Sequence, residues 1–350
     1  MGARWLVLRE GSRLRWGGDL RRHHVLAALA ERPDATDVDG WSAGRLREAL
    51  AANHRRPWSA RPRLAAATML AADALAEAAG RALPFAVDFH DDPVAQNEAL
   101  GVAMDSAWVE RAIDRKRRNV DAFRWLVVPS PELAALAGLD ADRTIVAGNG
   151  SDTKVITPVP WPGEPAIGFI SGAAAGRGIE TLIEAARLVR RSVPELRLLL
   201  WLAATSAAGE GYLDGLRRST AGDPWIEFAA APYQEIGAQL GRATVLCVPN
   251  PPAVYWDAVS PVKLFDCMAA ARPVVVTPRT VMRAEVERHQ AGLVAPGDRA
   301  EDLAGSIGAL IGDELLARQL GANGRNAVVA EHDWRRISES LAAELVRRAG

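Results

Sequence analysis

Short apolar runs alternate with helical segments along the second half of this 350-residue chain, and this alternation most constrains its fold. In the intervening segments, apolar residues recur every three to four positions, which is the helical period. Strands joined in this way lie parallel in one sheet with helices on both faces. The second half therefore predicts a doubly wound α/β domain. Its strands are expected at 166–170, 196–202, 226–229, 244–248, 273–277 and 292–295.

The first half predicts another α/β sheet in a less regular pattern. Strands are expected at 5–8, 85–89, 125–128 and 144–147, and helices at 20–31, 64–82 and 105–123. Prolines concentrate between Val155 and Pro165, as they do in segments that connect domains. We therefore expect an N-terminal Rossmann-like domain over 1–154, a linker over 155–165, a second domain over 166–333 and a C-terminal helix over 334–350.

Composition sets several classes of partner aside. The formal net charge is −1, so no excess of positive charge indicates nucleic-acid binding. No apolar run reaches the roughly 20 residues of a membrane span, and the charged start does not resemble a signal peptide. Both cysteines, Cys247 and Cys267, fall in apolar segments and are expected to be reduced core residues. These features favour a cytoplasmic protein.

The segment from Ser260 to Val276 carries the strongest functional signal. A Ser-Pro turn opens an amphipathic helix, and the first N–H groups of a helix attract anions. Ser260 and Lys263 add a hydroxyl and a cation at that end, beside the N–H of Val262. One turn later, the carboxylate of Asp266 can accept hydrogen bonds from sugar hydroxyls. The alternative is a helix that only packs, with Lys263 solvated.

A glycine-rich loop follows the first strand of the second domain. Gly172 and Gly176–Gly178 let a ligand approach the backbone, and Arg177 can reach phosphate oxygens. Thr181 stands where the dinucleotide fingerprint has its third glycine, and the Gly-Lys-Ser/Thr end of a P-loop is missing. The segment is either a phosphate-binding loop or a plain connection with an exposed arginine.

Together these segments resemble the donor-site motifs of family 4 (group 1) glycosyltransferases, which have the GT-B fold. In that family the Ser-Pro helix holds the pyrophosphate and ribose of a nucleotide-sugar, and Arg177 replaces the usual lysine of the glycine-rich loop. The resemblance covers Trp125–Ala343 well and Met1–Arg124 loosely. Other segments similar to the family are Asn149-Gly150-Ser151-Asp152, Ala291–Asp298 and the last helix at Trp334, which in the family crosses back to the N-terminal domain.

The resemblance implies two Rossmann-like domains facing across a cleft. It implies transfer of a sugar from a nucleoside-diphosphate-sugar to a hydroxyl-type acceptor, with retention of configuration, no metal and no cofactor beyond a UDP- or GDP-sugar co-substrate. Arg177 and Lys263 would stabilise the leaving diphosphate, and Asp266 would hold the ribose. The donor-binding residues implied are Gly17, Gly18, Gly172, Ser260, Val262 and Asp266.

The N-terminal half adds candidates on the acceptor side. His90-Asp91-Asp92 follows a strand, at the edge where open α/β sheets place ligands. By resemblance His90 would be catalytic and touch the transferred sugar, with Asp91 and Asp19 on the acceptor side. The alternatives are a core histidine, a helix-capping aspartate or a metal site. Gly17-Gly18-Asp19 is either a loop facing the donor or a helix start capped by Asp19.

Two positions depart from the family pattern. Ala173 stands where a basic residue commonly follows the first glycine, and Ala258 replaces the first of two glutamates separated by seven residues. A catalytically weak relative acting as a binding or partner subunit is therefore the main alternative. A GT-B-like epimerase or phosphorylase is another. The acceptor can be a glycan, a glycolipid or a small natural product.

Two further motifs point to other chemistry. Gly40-Trp41-Ser42-Ala43-Gly44 matches the nucleophile elbow of serine hydrolases, but the polar residues 34–39 before it do not predict the required strand. A basic cluster on one helix is either a solvated face or a patch for an anionic acceptor or the inner membrane surface. The cluster comprises Arg111, Arg115, Lys116, Arg117 and Arg118.

Overall fold

A computed structural model describes residues 4–9, 17–39, 60–66 and 82–350, together with residues 47, 48, 51 and 57. These residues form two compact units. The first holds the described residues up to Asn97 with Ala103–Asn149 and Trp334–Gly350, and the second holds Glu98–Val102 with Gly150–Asp333. None of the described helices is long and apolar enough to cross a bilayer.

In its described part, the first unit is built on one parallel sheet. The strands run in the order β2-β1-β3-β4-β5-β6. They are β1 (Trp5–Arg9), β2 (Ala35–Asp39), β3 (Arg63–Ala66), β4 (Leu83–Asp88), β5 (Trp125–Val128) and β6 (Thr144–Val146). The helices before the second unit are α1 (Gly17–His24), α2 (Ala27–Ala30), α3 (Pro93–Ala99), α4 (Ser106–Ala122) and α5 (Pro131–Leu136).

Two strands of this sheet correct the sequence prediction. Residues 35–39, read as too polar for a strand, form β2 at the sheet edge, where the outer side needs no apolar cover. Leu64–Ala66, predicted to start an alanine-rich helix, lie in β3 and are buried between β1 and β4. Alanine favours helices, but burial inside a sheet overrides that propensity. The rest of that predicted helix, 67–81, lies outside the described residues.

The second unit confirms the predicted doubly wound sheet. Its strands run in the order β12-β11-β10-β7-β8-β9, and every neighbouring pair is parallel. The first strand in sequence, β7, is therefore central, and the order reverses between β7 and β10. The strands are β7 (Ala166–Gly172), β8 (Arg197–Ala203), β9 (Ile226–Ala229), β10 (Val245–Val248), β11 (Val274–Val276) and β12 (Gly292–Val294).

Helices flank this second sheet. One apolar core joins β7 and β8 to the buried Leu182 and Ile307 of two of these helices. Cys247 and Cys267 are buried free thiols, as predicted. The helices are α6 (Ile179–Arg190), α7 (Ala207–Ser219), α8 (Ile236–Leu240), α9 (Val254–Ala258), α10 (Val262–Ala269), α11 (Thr280–His289), α12 (Ala300–Gly312) and α13 (Glu314–Ala327), which continues as a π-helix (Val328–His332).

The segment predicted as a linker, 155–165, is anchored within the second unit. Arg272, a buried residue, donates hydrogen bonds from Nη2 to the backbone oxygens of Val159 (3.2 Å) and Pro160 (2.9 Å). The chain passes from the first unit to the second at Asn149–Gly150, several residues before the prolines. The prolines therefore belong to a fixed segment of the second unit. Each proline restricts the backbone φ angle, and the carbonyl oxygens of Val159 and Pro160 are bound by Arg272.

The last helix, α14 (Trp334–Ala349), packs on the first unit. Trp334 is buried, and its ring stacks on that of His24 at 5.8 Å between centroids. Ser338 Oγ accepts a hydrogen bond of 2.7 Å from the backbone N–H of Ala28. At the other end, the Arg348 guanidinium lies 4.0 Å from the centroid of the Trp125 ring. The helix is thus held at both ends.

Candidate functional site

The carboxyl ends of β7 and β10 meet where the strand order reverses, and this is where doubly wound sheets bind ligands. The loop after β7 closes against the end of β10. Gly178 caps α6 with a φ of +75°, and a Cβ there would lie 1.8 Å from the backbone oxygen of Pro249. Only glycine fits this contact, so the loop after β7 packs directly against the end of β10.

Arg177 is positioned by this loop and by α9. The Trp256 ring donates a 3.1 Å hydrogen bond from Nε1 to the backbone oxygen of Gly176, next to Arg177 in sequence. The guanidinium of Arg177 lies 5.6 Å from the centroid of the Trp256 ring. A cation on an aromatic face keeps its charge while its orientation is restricted. Arg177 therefore presents a positioned guanidinium beside the end of β7.

Lys263 reaches the same strand end from the first turn of α10. The helix begins after Pro261, and no side chain caps its N-terminus. The Lys263 Nζ atom lies 3.5 Å from Ser171 Oγ, near the end of β7, and 4.7 Å from the centroid of the Phe169 ring. The lysine predicted at a helix start thus points along the sheet edge rather than into solvent.

The two cations lie close enough to repel each other. Burial and the neighbouring Arg177 guanidinium hold the pKa of Lys263 well below its usual range. Among the carboxylates that the structure describes, none pairs with Lys263. An anion such as a diphosphate stabilises two basic side chains that lie this close together. The structure therefore brings Arg177 and Lys263 together near the end of β7, the strand that ends at Gly172, and Ser260 and Val262 lie beside Lys263 in sequence at the start of α10.

Asp266 lies one turn further along α10 and faces inward. Its Oδ1 atom accepts a 2.7 Å hydrogen bond from Ser151 Oγ, and both residues are buried. Burial raises the pKa of Asp266 to about 7; the hydrogen bond from Ser151 opposes the shift, and the charge of Asp152 adds to it. The structure thus gives the carboxyl a partner within the unit, and its predicted contact with a ribose stays a prediction.

Asn250 belongs to this region and was missed in the sequence. It follows β10, and its side chain is fully buried. Neither polar atom of its amide has a hydrogen-bond partner among the described residues, although its backbone oxygen accepts a bond from Thr277 Oγ1. A buried amide without hydrogen bonds destabilises the folded protein. A ligand that forms hydrogen bonds with the amide removes this destabilisation. The surrounding Pro-Asn-Pro-Pro sequence is typical of a turn, so the sequence offers no reason to consider Asn250 a binding residue.

The structure places both alanines that depart from the family pattern away from solvent. Ala173 and Ala258 are both buried. Asp257, the acid next to Ala258, accepts a 3.0 Å hydrogen bond from the N–H of Thr280 and caps α11. Asp257 is therefore occupied at a helix start and does not replace the missing glutamate.

In the first unit, His90 lies at the end of β4 beside a buried ion pair. Asp88 is bound by Arg21, whose Nη2 lies 2.7 Å from Asp88 Oδ1, and neither side chain is exposed beyond 1%. His90 Nδ1 lies 2.8 Å from Asp88 Oδ2. Burial alone would raise the pKa of Asp88, but Arg21 and His90 outweigh it and hold that pKa below its usual value. Asp88 stays ionised and orients the imidazole.

Of the alternatives for the His90-Asp91-Asp92 segment, the helix-capping aspartate is confirmed for Asp92. Asp92 caps α3, because its Oδ1 accepts bonds from the N–H groups of Val94 (3.1 Å) and Ala95 (3.2 Å). Lys116 binds the other oxygen of Asp92 at 2.8 Å. Asp91 Oδ2 lies 3.7 Å from His90 Nε2, so Asp91 is the carboxylate next to the outer edge of the ring.

Gly17-Gly18-Asp19 form the first turn of α1, so the helix-start alternative is confirmed over the loop, but Asp19 is the third residue of the helix and does not cap it. Asp19 pairs with Arg22 one turn later, so it is engaged on the helix surface. The strand judged missing before the nucleophile-elbow motif is present as β2, but Gly40–Gly44 lie outside the described residues. Of the basic cluster on α4, all members except the partly buried Lys116 are exposed.

Comparisons with known proteins agree with this geometry. Residues 164–313 match the family model described as Glycosyl transferases group 1. Alpha-maltose-1-phosphate synthase of Mycolicibacterium smegmatis is 27% identical in an alignment 258 residues long. The match covers 67% of this chain and 64% of that relative's length, so this chain spans less than two thirds of the relative. The resemblance to group 1 glycosyltransferases is thereby confirmed, and assignment to family 4 stays a prediction.

Solved structures show the same fold. Sucrose-phosphate synthase from Thermosynechococcus elongatus superposes with a TM-score of 0.71 at 18% identity, covering 99% of each chain. Anabaena Alr3699/HepE, solved with UDP and glucose, superposes with a TM-score of 0.69 at 16% identity, covering 98% of this chain and 99% of that one. The predicted GT-B fold is confirmed.

Proposed function

We propose that this protein is a glycosyltransferase that moves a sugar from a nucleoside-diphosphate-sugar to a hydroxyl-type acceptor. One observation carries the proposal: Arg177 and Lys263 lie together at the switch point of the second sheet, close enough for the Arg177 guanidinium to lower the pKa of Lys263. A diphosphate brings negative charge to these two basic side chains, and its own charge grows as the bond to the sugar breaks.

In this proposal the second unit binds the donor. Arg177 and Lys263 stabilise the leaving diphosphate, and the backbone at Gly172, Ser260 and Val262 lies against its oxygens. Protein cations take the part that a metal plays in other transferases, so transfer needs no metal. Asp266 holds the ribose hydroxyls. Asn250 is added to the donor site, because its buried amide offers one donor group and one acceptor to the nucleotide or the sugar.

The first unit contributes the imidazole of His90. Asp88 lies 2.8 Å from Nδ1 on one side of the ring, and Nε2 lies near Arg22 (3.4 Å) and Asp91 (3.7 Å) on the other. His90 then contacts the transferred sugar, while Asp91 and Asp19 lie on the acceptor side. The reaction retains the configuration of the anomeric carbon. UDP-glucose is the first donor to test, since the Alr3699/HepE structure contains UDP and glucose.

A panel of nucleotides tests the donor site. UDP, GDP, ADP and TDP and their sugar conjugates are each added to the wild type, to Lys263→Ala and to Lys154→Ala, and the melting temperature is measured. A ligand at 100 times its dissociation constant adds about 2.7 kcal/mol of stability. One nucleotide should stabilise the wild type and the variant of the exposed Lys154, and stabilise Lys263→Ala less. No stabilisation by any nucleotide would contradict the donor site.

A binding or partner subunit without turnover is the second candidate. The buried Ala173 and Ala258 favour it, because each removes a charge that many relatives carry near the donor. Release of nucleoside diphosphate distinguishes the glycosyltransferase from the binding subunit. An enzyme releases nucleoside diphosphate from the donor that the panel identifies, whereas a binding subunit is stabilised by that donor and releases none.

Peripheral contact with the inner face of the membrane is part of the proposal. Arg111, Arg115 and Arg118 are exposed on α4, and each basic residue near an anionic surface contributes about 1 kcal/mol. Replacing these three residues by glutamine should reduce sedimentation with phosphatidylserine vesicles and leave donor binding unchanged. Equal sedimentation of the variant and the wild type would contradict membrane contact through these three residues.

A further inference from the structure

Two histidines and a glutamate converge on one point in the second unit, on elements that the donor site does not use. His289 Nε2 and His332 Nε2 lie 3.2 Å apart. Glu285 Oε2 lies 3.4 Å from His289 Nε2 and 3.5 Å from His332 Nε2. The three atoms therefore form a nearly equilateral triangle.

Local structure holds each of the three side chains in place. Glu285 and His289 are four residues apart on α11 and share one face of that helix. His332 ends the π-helix, a rare conformation that is frequent at functional sites. The Phe265 ring of α10 stacks on the His332 ring at 4.5 Å between centroids. The side chains of His289 and His332 are only 8% and 10% exposed, so solvent does not randomise them.

Hydrogen bonds among the three atoms of this triangle cannot all form at once. Each of its three edges needs one hydrogen, and two imidazole Nε2 atoms supply at most two. If both nitrogens donate to Glu285, the two N–H groups face each other across 3.2 Å. A single cation instead accepts one lone pair from each of the three atoms and satisfies all of them.

The size of the triangle matches a tetrahedral zinc site. Zinc binds imidazole nitrogen and carboxylate oxygen at about 2.0–2.2 Å, which places neighbouring ligand atoms about 3.3–3.6 Å apart. The edges of 3.2, 3.4 and 3.5 Å agree with this separation before any adjustment. Two imidazoles and one carboxylate are also a donor set that zinc uses, with water in the fourth position.

We propose that Glu285, His289 and His332 bind a Zn²⁺ ion that links α11 to the π-helix. The linked π-helix is the last element before the chain leaves the second unit at Asp333. The backbone oxygen of His332 accepts a 2.9 Å bond from Ser151 N–H, and Ser151 also binds Asp266. Zinc at this position stabilises the end of the second unit and takes no part in the sugar transfer, so the proposal stands independently of the proposed function.

Cobalt(II) spectroscopy of the 350-residue protein tests the site. After treatment with a chelator, the wild type should bind one equivalent of Co²⁺ with the intense visible absorption of a tetrahedral centre, and Zn²⁺ should displace it. Glu285→Gln and His289→Gln should each weaken binding by more than about tenfold. The control is Glu287→Gln, which alters the same kind of side chain on the exposed face of the same helix and should bind like the wild type.

X-ray absorption of the zinc-loaded wild type keeps the test decisive if a variant fails to fold. The expected coordination shell contains two imidazole nitrogens and a carboxylate oxygen, and zinc should raise the melting temperature of the wild type. Octahedral cobalt spectra, a zinc shell with sulfur or without imidazole, or equal binding by Glu285→Gln and Glu287→Gln would each overturn the proposal.

Discussion

Two basic side chains, Arg177 and Lys263, lie together beside the end of β7. Lys263 is the sensitive member of this region, because burial and Arg177 both lower its pKa. A bound diphosphate reverses the second of these effects and adds attraction. The protonation of a single lysine is therefore linked to occupancy of the donor site.

Donor binding should take up a proton. At a pH above the lowered pKa of free Lys263, the bound diphosphate raises that pKa and the lysine is protonated on binding, so affinity falls by up to about tenfold per pH unit as pH rises. Titration calorimetry in two buffers of different ionisation enthalpy measures the uptake. It should vanish in Lys263→Arg, whose side chain stays charged. Equal binding enthalpies of the wild type in both buffers would contradict the linkage.

Asp266 should make stability depend on pH. Its folded pKa of about 7 lies above the ordinary 3.8, so folding binds a proton in that interval, and the stabilisation is lost as pH rises through 7. Relative to Asp266→Asn, the wild type should lose about 2–3 kcal/mol of unfolding free energy between pH 5 and pH 8. Urea denaturation of both proteins measures the difference. Parallel pH profiles would show that the carboxyl is not protonated on folding.

Arg21 should be the most costly arginine to remove in the described part of the first unit. Arg21→Met leaves the carboxylate of Asp88 buried without its cation, which costs about 3–5 kcal/mol. Arg32→Met breaks a partly exposed pair with Asp34, two residues away in sequence, and should cost about 0–1 kcal/mol. Denaturant unfolding compares the two variants. A small loss for Arg21→Met would mean that Asp88 is neutral, and the assigned orientation of His90 would fail with it.

At the scale of elements, the two strand ends depend on one glycine contact. Gly178→Ala places a methyl group against the Pro249 carbonyl at a positive φ, so it should destabilise the protein by more than about 1 kcal/mol and weaken donor binding. Gly211→Ala, in open space on α7, should stabilise by about 0.4–1 kcal/mol. Thermal denaturation and donor titration compare them. Normal donor affinity in Gly178→Ala would show that the contact does not shape the site.

Periodicity predicts most elements because their side-chain patterns are local. The six strands of the second sheet lie within one or two residues of the apolar runs that predict them. The failures have physical causes: β2 is polar because it is an edge, and β3 contains alanines that favour helices in isolation. The π-helix at Val328–His332 could not be predicted, because amino-acid composition does not signal that change of hydrogen bonding.

At the scale of the whole molecule, fold class follows from the sequence more readily than the site does. Alternation of strand and helix predicts parallel sheets without knowledge of any contact. Long-range partners carry no such signal: Arg21 meets Asp88 across 67 positions, and Ser151 meets Asp266 across 115. The motifs thus predicted Lys263 and Arg177 at the donor edge, but only the structure revealed the buried amide of Asn250 and the Asp88 partner of His90.

The central claim is that the cation pair of the second unit supports turnover of a nucleotide-sugar. The most direct measurement is proton NMR of the donor that the nucleotide panel identifies, mixed with catalytic amounts of enzyme and candidate acceptors. The account predicts release of nucleoside diphosphate and a product with the anomeric configuration of the donor. It also predicts a rate about 10²–10³-fold lower in Arg177→Ala. A donor that binds the wild type but is never consumed would contradict the claim and leave a binding subunit.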